Sequence, residues 1–311
     1  MTPVSATEIA SLKRRGLNLF CAFGAAALLL VPSLTSAQVT LGPTLQTFGV
    51  LAGSTVTNTV GPTVVTGNVG VSPGLAITGF GPVDGGPGSA TGTYQSGVGS
   101  SAGPAQSELT TAFTAAGLLA CNTTFAVPTD LSTLGTLVPG VYCFGSSAGL
   151  TGNLTLDFGG NPNANFLFKI GSTLITASNS QVLAINTGGA GCLPNINFVV
   201  GTSATLGTGT NFGGNILADQ SITLTTGANL RGRALAKVAA VTLAANPVVG
   251  GCPIAAAVPG GPIPPPGGGG GGGAGAGVVP APTLQEWALI FLGLMLAGVG
   301  GWQVRRKSVV R

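Results

Sequence analysis

Apolar and polar residues alternate along most of the chain, and one short alternating pattern recurs. Five segments share a Thr-Leu pair: TLDFGGN from Thr155, TLITASN from Thr173, TLGTGTN from Thr205, TLTTGAN from Thr223 and TLAANPV from Thr242. Their first threonines are 18, 32, 18 and 19 residues apart. A period near 18 with a constant leucine predicts coils of a β-solenoid, with leucines stacked inside and threonines in an outer ladder. The longer interval predicts one coil with an insertion.

The same alternation also occurs nearer the N-terminus, and one segment between the two regions interrupts it. Residues 49–74 repeat the strand-and-turn pattern and predict the first coils. The segment PAQSELTTAFTAAGLLA instead carries apolar residues at helical spacing, namely Leu109, Phe113, Ala116 and Ala120. It predicts one amphipathic α-helix over about 104–120, packed along the solenoid.

The charge distribution excludes a nucleic-acid partner. Only 6% of the 311 residues are charged, and the formal net charge is +4. Between Gln38 and Pro280 only four basic residues face five acidic ones, so no basic patch can neutralise a row of phosphates.

The composition also argues against catalysis. The stretch from Gly145 to Gly149 matches the G-x-S-x-G pattern of hydrolases, but the chain has no histidine to accept the proton of the serine. We find no phosphate-binding loop, no paired carboxylates and no spaced set of metal ligands. We therefore expect no enzyme, no cofactor and no metal site.

Both ends of the chain read as targeting segments. A basic cluster, an apolar run and small residues before Gln38 predict a signal peptide over 1–37, and hence export. A Pro/Gly-rich linker is expected over 259–279. The uncharged run at about 287–304, followed by basic residues, predicts a transmembrane helix within a sorting signal at 280–311.

The order PTLQEW, apolar helix and basic end resembles the IPTL-type C-terminal sorting signals of Gram-negative bacteria. The usual Ile-Pro is replaced by Ala281-Pro282, and Ser-Glu-Trp by Gln285-Glu286-Trp287. The resemblance implies that an exosortase-like enzyme in the membrane processes the segment, and a permanent single-span anchor is the alternative. We expect the protein in the cell envelope, on the cell surface or secreted.

The cysteines fit an oxidising compartment. Cys21 leaves with the signal peptide, and four cysteines remain: Cys121, Cys143, Cys192 and Cys252. An even number in an exported chain predicts two disulfides, for which three pairings exist. We favour Cys121 with Cys143 and Cys192 with Cys252, because each pair brackets a continuous segment. A zinc site is not expected without histidine or a CxxC pair.

Several long segments resemble the bacterial ice-binding-like family, which carries the domain of unknown function 3494. They include FGVLAGSTVTNT from Phe48, GNVGVSPG from Gly67, PGVYCF from Pro139 and GTGTNFGGNILA from Gly207. The resemblance implies a right-handed, irregular β-solenoid of triangular cross-section with a long helix alongside, over 38–258. It also implies binding to the surface of ice crystals through a flat face with a Thr-(Ala or Gly)-x-(Thr or Asn) motif.

The residues that the motif assigns to ice binding are Thr176, Ser178, Asn179, Thr208, Thr210, Asn211, Thr226 and Asn229. In the flanking coils Phe158 and Ala245 replace the first threonine. Strict alternation from Leu224 would turn Thr226 inward, so two hypotheses stay open. Either a turn at Gly227 re-aims the motif, or the outward ladder is the row of Thr173, Thr205 and Thr223.

Two functions follow. The first is an exported ice-binding, antifreeze-like protein that adsorbs to ice through these side chains. The second is a structural or adhesive β-solenoid of the cell surface without ice activity, in which threonine and asparagine ladders serve strand propensity and corner stability. A flat, regular threonine face favours the first.

Overall fold

The computed structural model describes residues 38–188 and 195–250. Three all-parallel β-sheets form the walls of a solenoid, and each coil contributes one strand to each sheet in turn. Parallel stacking follows from the repeat, because consecutive coils run in the same direction and pair strand on strand. The predicted β-solenoid with a helix alongside is confirmed.

The strands are short, as expected for a chain that turns a corner every few residues. The N-terminal strands are β1 (Phe48–Ala52), β2 (Thr55–Asn58), β3 (Val64–Thr66), β4 (Asn68–Val71), β5 (Ala76–Thr78), β6 (Ser89–Ala90) and β7 (Tyr94–Ser96). The next strands are β8 (Thr123–Phe125), β9 (Thr129–Asp130), β10 (Thr136–Leu137), β11 (Gly140–Phe144), β12 (Ala148–Leu150), β13 (Asn153–Asp157), β14 (Phe166–Ile170), β15 (Leu174–Thr176) and β16 (Gln181–Ile185). The last strands are β17 (Ile196–Val200), β18 (Ala204–Leu206), β19 (Asn211–Gly213), β20 (Asn215–Ala218), β21 (Ile222–Leu224), β22 (Asn229–Arg231), β23 (Ala234–Ala236), β24 (Val241–Leu243) and β25 (Pro247–Val249).

The stacking order of the coils differs from their order along the chain. Sheet 1 runs β7-β4-β1-β23-β20-β17-β14-β11-β8, sheet 2 runs β5-β2-β24-β21-β18-β15-β12-β9, and sheet 3 runs β6-β3-β25-β22-β19-β16-β13-β10. The first coil therefore stacks on the last one, with Val50 in register with Ala234. The alternation of residues 49–74 predicts these N-terminal coils, but it does not show that they stack on the last coil of the chain.

The interior is an apolar ladder. The predicted leucines Leu206, Leu224 and Leu243 are fully buried. Phe168 stacks on Phe198 with ring centroids 4.5 Å apart, and Tyr142 stacks on Phe168 at 5.5 Å. Offset-stacked rings on adjacent strands suit the strand spacing of about 4.8 Å, so the core is continuous along the axis.

One long helix covers sheet 1. A single-turn helix, α1 (Gly81–Asp84), precedes the long helix α2 (Ala102–Leu118), whose predicted bounds were about 104–120. Two 3₁₀ helices span Leu45–Thr47 and Leu131–Leu134. The face of α2 that packs on sheet 1 consists of small residues and one leucine: Ala102, Ala105, Leu109, Ala112 and Ala116. From β1 to β14, sheet 1 is therefore buried on both sides along most of each strand, whereas its terminal strands β7 and β8 are partly or fully exposed.

The end of α2 is fastened to sheet 1. Lys169 donates from Nζ to the carbonyls of Gly117 and Leu119 at 2.8 and 2.9 Å, which satisfies the C-terminal end of the helix. The predicted Cys121–Cys143 disulfide is confirmed. Ala120 lies exposed beyond the helix, so it is not part of the buried stripe predicted for it.

Other predictions fall on residues outside the described ranges. They are the signal peptide over 1–37, the pairing of Cys192 with Cys252, the linker over 259–279, and the transmembrane helix about 287–304 in the segment 280–311. Among the described residues no helix is long and apolar enough to cross a membrane. The same residues contain no group of His, Cys, Asp and Glu that could hold a metal ion.

Two alignments behind the predicted repeat are wrong. Thr155 lies on β13 of sheet 3, in register with Leu183, and not on the sheet of Thr205. Leu174 pairs with Ala204, so TLITASN is displaced by two residues from the predicted alignment with TLGTGTN. Phe158, expected to interrupt the threonine face, is buried in the core.

Candidate functional site

The outer faces of the three sheets differ in chemistry. Helix α2 covers sheet 1. The outer face of sheet 3 mixes the charged Asp157 and Arg231 with the partly exposed Leu183 and Ile185. The outer face of sheet 2 carries no charged strand residue from β5 to β12. It is the surface with repeated chemistry, and it is open to solvent.

Threonines form a row across this face. The row contains, in stacking order, Thr78, Thr57, Thr242, Thr223 and Thr205, each in register with the next. We call these five residues the central row. Their neighbours in each strand are buried, so alternation points every one of them outward. Strand spacing puts successive side chains about 4.8 Å apart.

A second row of small hydroxyl residues lies two positions earlier in the strands. Its members are Thr55, Ser221, Ser203, Thr173 and Ser147, with Ala76 and Ala240 between or beside them. Ser203 and Ser221 lie 2.9 Å apart through their Oγ atoms, and Thr173 donates to Ser147 at 2.8 Å. These bonds restrain the hydroxyl groups of four of the five members. Thr173 therefore belongs to this row and not to the row of Thr205.

The hydroxyls at the middle of the central row face solvent. Among the described residues, the Oγ1 atoms of Thr205, Thr223 and Thr242 have no protein hydrogen-bond partner, while Thr78 donates to Thr57 at 3.3 Å. The β-branched side chain of threonine is stiff at χ1, so it presents its hydroxyl and methyl in fixed directions. The row can therefore hold an ordered set of water molecules.

A corner ends each coil's passage through sheet 2. Asn179, Gly209 and Gly227 have positive φ values of 60, 65 and 68°, where the chain turns toward sheet 3. The side chains just before this turn are exposed at Thr208 and Thr226. The two hypotheses about the outward row are thus not exclusive, because the strand row is partly exposed and these corner threonines are exposed.

The remaining motif residues of this corner are divided by the turn. Ser178 and Asn179 are exposed beside Thr208. Thr176 and Thr210 are buried, with 3% and 0% exposure, and their Oγ1 atoms lie 2.9 Å apart. Thr210 also donates to the carbonyl of Ala177 at 3.0 Å. Both were predicted to contact ice, and both instead satisfy polar groups inside the corner.

Two of the three predicted asparagines lie on another face. Asn211 and Asn229 are in register on β19 and β22 of sheet 3, and Asn229 donates weakly to Asn211 at 3.5 Å. They lie past the corner from the central row. The motif therefore spans two walls of the solenoid, and only its first half borders sheet 2.

Sequence reasoning missed part of the face. The motif does not include Thr57 or Thr78, and the repeat aligns Thr242 without predicting it as a contact. The signal was present in the alternating threonines of STVTNT, which put Thr55 and Thr57 on one side of β2.

The central row ends at β15. Ile175 takes the register position next to Thr205, followed by Gly149 and then Asp130 on the terminal strand β9. Burial alone would raise the pKa of Asp130, but hydrogen bonds from Thr151 and Ser132 outweigh it and lower that pKa. The carboxylate thus stays charged at neutral pH and marks the end of the uncharged surface.

The chain matches known proteins over this solenoid. A family model described as ice-binding-like matches residues 50–249. An ice-binding protein from Nostoc sp. (strain HG1) is 50% identical over 218 residues, which are 70% of this chain and 76% of that protein. Ice-binding protein K3-B1 from Typhula ishikariensis is 34% identical over 63% of this chain and 86% of its own length. An IPTL-CTERM motif matches residues 280–306, so the predicted sorting signal is confirmed.

Solved structures agree with the fold. The crystal structure of an ice-binding protein from an Antarctic biological consortium has a TM-score of 0.60 and 40% identity, over 68% of this chain and 90% of that one. The ice-binding protein from the ascomycete Antarctomyces psychrotrophicus has a TM-score of 0.60 and 34% identity, over 68% of this chain and 98% of that one. In that relative the domain is nearly the whole crystallised chain, so such a domain folds by itself. By the extent of the family match and by these identities, the chain belongs to the ice-binding-like family.

Proposed function

We propose that the protein binds ice through the outer face of sheet 2, without a cofactor and without catalysis. The observation that carries the proposal is the central row, in which five threonines on adjacent strands project in one direction. Membership of the ice-binding-like family supports it. So does the ice-binding description of its Nostoc relative.

The geometry of the face favours an extended solid over a small ligand. A small molecule is normally held in a concave pocket that buries most of its surface, whereas a β-sheet wall offers a broad, open surface. Hydroxyl and methyl groups repeat about every 4.8 Å along the solenoid axis, and about every 6.7 Å along a strand. Such a two-dimensional array can hold water molecules in a lattice that merges with a crystal of water.

The absence of charged strand residues on this face also favours adsorption to ice. Charged side chains bind water strongly in orientations set by their own field, and their desolvation is costly. From β5 to β12 the strands of sheet 2 present only hydroxyl-bearing, small or aliphatic side chains outward. The protein can therefore adsorb with many weak contacts and no buried charge.

We propose that binding takes place outside the cytoplasm. The sorting motif at residues 280–306 supports export and attachment at the cell surface. The signal peptide over 1–37 and the membrane span about 287–304 remain parts of this proposal, as does processing by an exosortase-like enzyme.

The decisive experiment compares the outer faces of sheets 2 and 3, whose strands share the same sequence pattern. Residues 38–258 are produced in oxidised form, as the parent, as Thr205→Tyr plus Thr223→Tyr, and as Thr155→Tyr. Partition into a slowly growing ice hemisphere and thermal hysteresis are measured, with circular dichroism to establish folding. We expect the parent and Thr155→Tyr to enter ice and the double variant to stay in the liquid.

Two outcomes would count against the proposal. If the folded double variant still enters ice as well as the parent, sheet 2 is not the ice-binding face. If the folded parent itself stays in the liquid, the threonines are structural, and the adhesive β-solenoid without ice activity becomes the better hypothesis.

A further inference from the structure

The two ends of the described domain leave the solenoid at the same edge. Strand β25 of sheet 3 is the last described strand along the chain, and Gly250 follows it beside Gly49 at the start of β1 in sheet 1. At the other end, Gln38 donates to the side chain of Asn195 at 2.8 Å, and Asn195 directly precedes β17 of sheet 1. Both ends therefore lie where sheet 3 meets sheet 1.

This edge is opposite the threonine face. Each coil passes through sheets 1, 2 and 3 in that order, so the edge between sheets 3 and 1 is the one that sheet 2 does not touch. The packed core lies between that edge and the central row, and packed sheets are about 10 Å apart. A chain leaving at Gly250 does not need to cross the outer face of sheet 2.

The chain beyond Gly250 leads to the attachment signal. Residues 251–279 separate the last described residue from the sorting motif at residues 280–306. A load applied through this motif therefore reaches the described domain at Gly250, on the edge between sheets 3 and 1, and not on a strand of sheet 2.

From this placement we infer that the protein binds ice while it is still attached to the cell surface, so that the attached form holds a cell on ice. Its partner at one end is the ice crystal, and at the other end it is the cell envelope to which the sorting motif of the chain directs it. The inference rests on the proposed ice-binding function, and adds that release from the cell is not required for it.

The chain ends and the face are also independent of each other in their contacts. The central row from Thr78 to Thr205 makes its contacts within sheet 2, and neither Gln38 nor Gly250 bonds to a residue of that sheet. Tension at Gly250 is transmitted first to β25 and its neighbour β3, through the Gly250 N–H bond to the carbonyl of Thr66. The ice-binding geometry should therefore tolerate a fixed C-terminus.

The test holds the domain by its C-terminus on fluorescent beads. Residues 38–279 and the shorter fragment 38–258 are each biotinylated at the C-terminus and captured on streptavidin beads. Adhesion of the beads to a polished ice surface is counted under flow, with beads that carry Thr205→Tyr plus Thr223→Tyr as the matched control. We expect both parent fragments to hold beads on ice to within about twofold of each other, and the control beads to wash off.

The outcomes separate this inference from the proposed function. If free fragments enter ice but beads held at the C-terminus do not adhere, the inference is overturned and the proposed function stands. Adhesion only with the longer fragment would also overturn the geometric argument, because the exit edge would then hinder the face. If neither free nor captured fragments bind ice, the proposed function itself fails.

Discussion

The Oγ1 atoms of Thr176 and Thr210 lie 2.9 Å apart inside the solenoid, at a corner where two walls meet. Gly207 donates its N–H to Thr176 at 2.8 Å, and Ser180 lies 3.3 Å from Thr210. The pair therefore completes the hydrogen bonding of a turn that would otherwise bury unsatisfied backbone groups. Threonines in nearly the same local sequence therefore have two roles. Thr176 and Thr210 stabilise the turn, whereas threonines a few residues away form part of the surface.

This pair allows stability and ice binding to be separated. Thr210→Val keeps the shape of the side chain but removes the bond between the buried hydroxyls of Thr176 and Thr210, and one of the bonds to the carbonyl of Ala177, which also accepts from Ser180. We expect a loss of about 1–3 kcal/mol in the free energy of unfolding, and unchanged partition into ice at a temperature where the variant is folded. Urea unfolding and ice-affinity partition are the measurements.

A matched control lies at the exposed part of the same corner. Thr226→Val should change the free energy of unfolding by no more than about 0.5 kcal/mol, because Thr226 is exposed. If Thr210→Val instead lost ice affinity at unchanged stability, the buried position of Thr210 would be refuted.

The end of the central row offers a gain of function. Ile175 is in register with Thr205 and points outward, so Ile175→Thr adds a sixth threonine to the row. We expect greater thermal hysteresis at equal protein concentration, with little change in melting temperature. Ile185→Thr, outward on sheet 3, is the control and should leave thermal hysteresis unchanged. Equal activity of the parent and Ile175→Thr would mean that ice contacts do not extend as far as β15.

The disulfide should affect stability and not ice binding. Cys121 and Cys143 close a loop with a sequence separation of 22 residues, at the end of α2 on sheet 1. Loss of that constraint in Cys121→Ser plus Cys143→Ala is worth about 3 kcal/mol in the chain-entropy model. For a domain of this size the melting temperature should fall by about 10 °C. Calorimetry measures it, and ice partition of the folded variant should match the parent.

The pH dependence follows from the acidic side chains. The pKa of Asp219 is lowered, first by the hydrogen bond from Lys237, and the pKa of Asp157 is lowered, first by the N–H of Gly159. The pKa values of Asp84 and Asp130 are lowered as well. A carboxylate whose pKa is lower in the folded state contributes stability above its unfolded value, and that stability is lost as the pH falls toward the folded value.

The melting temperature should therefore be nearly constant from about pH 5 to 8, since the chain has no histidine. It should fall progressively below about pH 3.9, the ordinary value for aspartate. Asp130→Asn should weaken the acid-induced part of this fall. A steep change in stability between pH 6 and 7 would contradict the assignment.

Much of the fold could be predicted from the sequence, but part of the candidate site could not. Alternation identified the solenoid, and helical spacing placed α2 within two residues of its observed bounds. Alternation cannot detect a displacement by two residues, because a strand has a period of two, and this is why Thr173 was aligned with Thr205. The same degeneracy put Thr155 on the wrong wall, since sheets 2 and 3 share the pattern.

The remaining differences between the prediction and the structure arise at the corners of the solenoid. The motif that the family resemblance assigned to ice binding crosses a turn with positive φ at Gly209 and Gly227. Such a turn changes which way the following side chains point, so that Thr208 is exposed and Thr210 is buried. A glycine in the sequence permits this turn without requiring it.

The pairing of β1 with β23 bears on how the chain reaches its native state. In an ordinary repeat protein each unit needs only its sequence neighbours, and folding can propagate from any point. Here Val50 meets Ala234, a separation of 234 − 50 = 184 residues, so the first coil has no partner on that side until the last coil exists. Such non-local contacts slow folding. The chain must therefore emerge almost completely before its first coil finds this partner. Once it has, the last coil lies between the first coil and the rest of the solenoid, so that it cannot unfold from a free end of the stack.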